Sequence, residues 1–173
     1  VAVILDAYWR RVIGWELDRT MEDSLTLSAL RMALSRRLVQ TGLVHHSDRG
    51  TQYASGDYTD LLKANGITIS MSRKGNPWDN AACESFMKTL KYEEVLRNEY
   101  RDLAEARTSI REFLEKVYNQ KRLHSALGYM PPAEFEARHR KDAATRPLSL
   151  CVFPGVSESF HPLVAAALAP TPP

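Results

Sequence analysis

Two hydrophobic periods alternate along the chain, and that alternation constrains the fold more than any other feature. Val1 to Ala7 and Val12 to Leu17 are short, β-branched-rich runs joined by Tyr8-Trp9-Arg10-Arg11, which predicts an antiparallel pair of strands. After Thr20 the period changes: Leu27, Leu30, Leu34 and Leu38 recur at three to four residues, so a helix is expected to end near Gln40. Residues 42 to 48 then form a buried-strand candidate stopped by Gly50, Tyr58 to Asn65 a short helix closed by Gly66, and Ile67 to Met71 an alternating strand. Gly75, Asn76 and Pro77 predict a loop over 72–79. Asp79 or Asn80 is placed to cap a helix reaching about Leu96. Further helices are expected over Leu103 to Tyr118 and Ala133 to His139. Strands and helices in this order predict an α/β fold with a mixed sheet flanked by helices.

Composition narrows the function classes little. With 44% apolar and 25% charged residues the chain suits one globular core, and its formal charge of +2 admits a polyanionic partner only through a local patch. Two cysteines, Cys83 and Cys151, are too few for a disulfide framework or a four-cysteine zinc site, which points to a reducing, cytoplasmic setting. The longest apolar run of the C-terminal part, Leu163 to Ala169, is far too short to span a bilayer, so no membrane association is expected. The chain starts at Val1 directly in an apolar run, from which a missing N-terminal segment is expected. Residues 142–173 hold six of the nine prolines and three charged residues. This tail is expected to be disordered or loosely packed beside a folded unit over 1–141.

Two acids stand where chemistry is possible. Asp48 follows a buried strand in the turn Asp48-Arg49-Gly50, the kind of position from which side chains project into a crevice, although an aspartate before glycine is also an ordinary turn residue. Glu84 lies early in a helix with Lys88 and Lys91 on the same face. It reads equally as a solvated ion-paired face stabilised by the helix dipole.

Taken together, the acids have 35 residues between them and sit in two blocks, HHSDRGTQY (45–53) and GNPWDNAACESFMKTLK (75–91), followed by YNQKRLHSALGYMPPAEF (118–135). In these blocks residues 1 to 140 resemble the catalytic core of bacterial insertion-sequence transposases, the second-reading-frame product of the Asp-Asp-Glu superfamily that includes retroviral integrases. The resemblance implies an RNase H-like fold whose first strand, bearing the first catalytic aspartate, is missing upstream of Val1. An open sheet edge is expected there. Asp6 is a poor substitute for that aspartate and is expected in a strand-end or turn role.

The resemblance also implies a function: cleavage of a phosphodiester at a transposon end and transfer of the freed 3′-hydroxyl to target DNA. Mg²⁺, with Mn²⁺ as a substitute, would be held by Asp48 and Glu84, because hard oxygen ligands suit these ions. Lys88, Lys91, Trp78, Asn80, Arg122 and His124 are the candidate DNA contacts. Each has a plainer alternative: a solvated helix face for the lysines, a loop anchor for Trp78, a charged surface for Arg122 and a tether for the last helix for His124. His45 and His46 are adjacent on a strand, so at most one faces the site, and a structural or orienting role is expected. A homo-oligomer is expected, since two ends must be brought together. With an acid absent, the chain reads as an inactive or partial core. Two other readings stay open: a non-catalytic DNA-binding remnant, and a nuclease of the same fold acting by hydrolysis alone.

Overall fold

A computed structural model describes residues 1–20, 22–40, 42–47, 50–71, 81–140 and 149–153. Strands β1 (Ala2–Asp6), β2 (Val12–Glu16), β3 (Val44–Ser47), β4 (Thr68–Met71) and β5 (Ser149–Phe153) form one mixed sheet in the order β2-β1-β5-β3-β4. Around it lie helices α1 (Asp23–Arg36), α2 (Gly56–Ala64), α3 (Ala81–Glu93), α4 (Leu103–Glu112) and α5 (Pro132–His139). Among the described residues no helix is long and apolar enough to cross a membrane.

β1 is buried along its whole length because both faces of the sheet are covered. Alternation sends Val3 and Leu5 to one side, where they pack with Phe86, Leu90, Ile110 and Leu114 of α3, α4 and the turn after α4. Ala2 and Ile4 go to the other side, against Leu30 and Ala33 of α1 and Leu62 of α2. Hence β1 reads as an unbroken apolar run. On the second side α1 approaches β2 closely: a Cβ at residue 14 would overlap the Ala29 carbonyl oxygen and the Ala33 methyl group, so only glycine fits there.

The sheet departs from expectation at its centre. Residues 149–153, inside the segment expected to be disordered or loosely packed, form β5, antiparallel to β1 (Leu5 opposite Cys151) and parallel to β3 (His46 opposite Cys151). β5 thus pairs the inner edge of β1 that was expected to lie open. The signal was local: Leu148 to Phe153 is a short run, apolar except for Ser149 and bounded by Pro147 and Pro154, of a length that suits a strand. The rest of 142–173 lies outside the described residues.

At the outer edge, β2 is blunted by a side chain. Asn119 Oδ1 accepts from the Val12 N–H and its Nδ2 donates to the Val12 carbonyl, both at 2.9 Å, which satisfies backbone groups that a neighbouring strand would otherwise take. Asn119 reaches that position because the helix expected over 103–118 widens after Glu112 into a π-helical turn, Phe113–Tyr118. α1 likewise stops at Arg36, short of Gln40. Arg37 is extended (φ −132°) and its side chain turns inward to meet Glu136.

Candidate functional site

α3 carries most of the candidate residues, and its buried seam divides them. At 100° per residue Cys83, Phe86, Met87 and Leu90 face the core. Glu84, Lys88 and Lys91 lie on one flank of that seam, whereas Ala82, Ser85, Thr89 and Glu93 lie on the other. Glu84 is exposed in the first turn of α3, where the helix dipole favours a carboxylate. Lys88 is exposed and Lys91 partly so. β3 ends at Ser47, one residue before Asp48. Asp48 itself, with Trp78 and Asn80, lies outside the described residues.

Arg122 and His124 gather on the other flank of α3. The Arg122 guanidinium donates to both oxygens of Glu93 at 2.8 to 3.1 Å, which ties the 119–130 segment to the end of α3. His124 packs edge-on against Tyr118, with centroids 4.9 Å apart, and its Nε2 is buried without a partner. Burial, with Arg122 and Arg10 nearby, lowers its pKa to about 4, so the ring is neutral at pH 7. Ordinary attraction between an imidazolium and a phosphate is therefore weak here.

The two strand histidines separate as alternation requires. His45 is fully buried, with Nε2 2.9 Å from the Tyr58 hydroxyl, and His46 Nδ1 lies 3.0 Å from the Ser70 hydroxyl on the opposite face. Burial lowers the His45 pKa to about 4 from 6.5. The unfolded chain takes up a proton there that the folded chain refuses, so stability is full above pH 6.5 and falls as pH drops toward 4. At 1.36 kcal/mol per unit the His45 contribution is about 3 kcal/mol. Urea melts between pH 7 and 4 should show that loss, and His45→Leu should flatten it; an unchanged slope in His45→Leu would rule His45 out as the group responsible.

Among the described residues no group of three or more His, Cys, Asp or Glu side chains could hold a metal ion. Glu84 offers one exposed hard-oxygen donor. Asp6 is not available: it is 3% exposed, its Oδ1 accepts from the Tyr8 and Trp9 N–H groups at 3.1 and 3.0 Å, and Arg37 lies 3.8 Å from Oδ2. It caps the β1–β2 turn, the role expected from sequence.

Known proteins resemble this arrangement in both sequence and fold. Two models described as integrase core domain match, one over residues 1–77 and one over 65–132. The transposase of insertion sequence element IS904 from Lactococcus lactis subsp. lactis (strain IL1403) is 42% identical over 136 residues, 79% of this chain and 54% of that protein. The chain belongs to the integrase core domain family. Transposase InsF of IS3A from Escherichia coli (strain K12) is 38% identical over 139 residues, 80% of this chain and 48% of that protein. This integrase core domain thus spans about half the length of the curated relatives it matches. The catalytic core domain of BIV integrase, in a crystal structure, superposes with a TM-score of 0.50 over 76% of this chain and 80% of that one; at 22% identity the likeness is one of fold, the RNase H-like mixed sheet.

Several residues that organise this integrase core domain were not singled out from sequence. Glu136 on α5 is 3% exposed and accepts from Arg11 Nη1 (2.6 Å) and from Arg37 Nη1 and Nη2 (2.5 and 3.0 Å). Burial pushes the Glu136 carboxyl up, but the two guanidiniums prevail and hold it below its ordinary value. The triad joins the β1–β2 turn, the end of α1 and α5. No local pattern in the sequence pairs these charges, because the partners stand 125 and 99 positions apart along the chain. Arg10, in the same turn, lines the cavity on the Arg122 flank of α3.

Proposed function

We propose that this domain is a partial catalytic core for the phosphodiester cleavage and strand transfer of insertion-sequence transposition, a reaction on transposon ends and target DNA. The observation that carries the reading is Glu84: an exposed carboxylate in the first turn of α3, with Lys88 and Lys91 on the same flank, 36 positions after Asp48 in the family's sequence blocks. Asp48 and Glu84 are assigned as ligands of Mg²⁺, or Mn²⁺ in its place, since carboxylates offer the hard oxygens these ions prefer. An ion held there would neutralise phosphate charge and sharpen the attacking oxygen. Lys88 and Lys91 grip phosphates beside it, and Trp78 and Asn80, which precede α3 in sequence, contact the strand. Arg122 supports the DNA-facing loop through Glu93, and His124 belongs to the same loop. The working form is a homo-oligomer that holds two ends, in the cytoplasm.

One observation favours a second reading, a non-catalytic DNA-binding role. The central strand β5, Ser149-Leu150-Cys151-Val152-Phe153, carries no carboxylate, and Asp6 is engaged in its turn. A strand-transfer assay on a labelled transposon-end duplex with Mg²⁺ or Mn²⁺ separates the two. Product that falls to background in both Asp48→Asn and Glu84→Gln is the expected result. DNA binding that persists without metal, with no nicking under any condition, would establish the second reading instead.

A further inference from the structure

We infer that the cavity between the β1–β2 turn, the Ser85–Thr89 flank of α3 and the loop 122–129 is a pocket for one unpaired nucleotide of a DNA strand, with Arg10 on its phosphate and the base against Tyr129 and His124. The inference rests on the DNA reading above and adds a subsite to it, on the opposite flank of α3 from Glu84.

Three independent features meet in this cavity. Its volume, about 540 Å³, falls within the roughly 300–1,000 Å³ of small-ligand sites. Arg10 (φ 55°) and Tyr129 (φ 57°) are the two non-glycine residues with left-handed backbone among the described residues, and both line it although they are distant in sequence. Strain of this kind persists where the surrounding structure enforces it and concentrates at ligand clamps. The third feature is the buried, unpartnered Nε2 of His124, which needs a hydrogen-bonding group that the protein does not supply.

The chemistry of each group selects the ligand. Arg122 is neutralised by Glu93, whereas Arg10 has no ion-pair partner among the described residues, so the pocket has one spare positive charge, suited to one phosphate. The imidazole of His124 is neutral at pH 7 and therefore matches the edge of a base, which presents both donors and acceptors, better than it matches an anion. Tyr129 is 71% exposed, an aromatic ring held at the rim by a hydrogen bond from its N–H to the His124 carbonyl at 2.9 Å. A ring so placed is a stacking platform for any base. A paired base cannot use it, because its hydrogen-bonding edge is occupied and its faces are covered by neighbours.

The test measures binding of the full chain to two hairpin duplexes of the same sequence, one blunt and one with a two-nucleotide 3′ overhang that carries 2-aminopurine. The overhang form should bind about tenfold more tightly, the size of one base–aromatic stack, with quenching of the 2-aminopurine. Arg10→Gly and Tyr129→Gly should each bring the overhang affinity down to the blunt value and leave blunt binding as it was. Both changes relieve a left-handed residue, so the melting temperature should hold or rise, which separates loss of the pocket from loss of the fold. Equal affinity for the two duplexes, or variants that weaken both alike, would overturn the pocket while the DNA reading stands. Failure to bind either duplex would overturn both.

Discussion

Cys151→Pro is expected to lower the stability of the domain by about 3 kcal/mol or more, and so to move the urea midpoint down by about 1–2 M. Cys151 sits in the middle strand of the sheet, opposite Leu5 on one side and His46 on the other. Proline removes a ladder N–H there and forces its ring into a neighbouring strand, which sheets accept only at edges and bulges. Of a total stability of roughly 5–15 kcal/mol that is a large share. Cys151→Val, which suits a strand, serves as the control and should change little. A Cys151→Pro protein that melts with its parent would mean that residues 149–153 do not hold the sheet together.

Glu136→Ala should cost about 3–5 kcal/mol, because it removes the carboxylate that Arg37 and Arg11 both donate to and leaves Arg37 only the longer contact with Asp6 at 3.8 Å. Glu136 is buried, Arg37 is only 22% exposed, and the pair closes at 2.5 Å between the end of α1 and α5. Arg11 is more exposed and has water as an alternative partner, so Arg11→Ala should cost less. The double change Arg37→Met with Glu136→Leu should recover much of the loss, since apolar groups of similar size can replace a buried pair at little penalty. The folded-state pKa of Glu136 is depressed, so its contribution is present above the unfolded value near 4.5 and disappears as pH falls through the folded value. Urea melts of the single and double variants at pH 7 test the argument. A loss under 1 kcal/mol in Glu136→Ala would show that water already reaches the triad.

Elements with a strong period were legible. The β1–β2 pair, β3, β4 and the stripe Leu27, Leu30 and Leu34 of α1 lie where hydrophobic spacing put them, because each element must offer apolar groups to the core at its own repeat; Leu38, expected on the same stripe, falls past the end of α1 and is exposed. Boundaries were less legible where a single side chain is recruited from afar. α1 ends early at Arg36 so that Arg37 reaches Glu136, and the helix after Leu103 loosens into a π turn from which Asn119 caps β2. The candidate site divides in the same way. Sequence grouped Lys88, Lys91, Arg122 and His124 as one DNA-facing set. The seam of α3 puts the lysines with Glu84 and leaves Arg122 and His124 with Arg10 and Tyr129 on the other flank.

By itself, the sequence determined the α/β class, the two-period order of elements and the spaced acids that mark the family, because these depend on residues near one another or on a pattern that survives in any packing. Tertiary structure alone decided which strand stands at the centre of the sheet, which charges are neutralised and which remain free. A five-residue apolar run has too little pattern to name its neighbours. A guanidinium becomes a clamp or a spare cation according to which carboxylate folding brings into hydrogen-bond range, and that is set by residues 29 to 125 positions away.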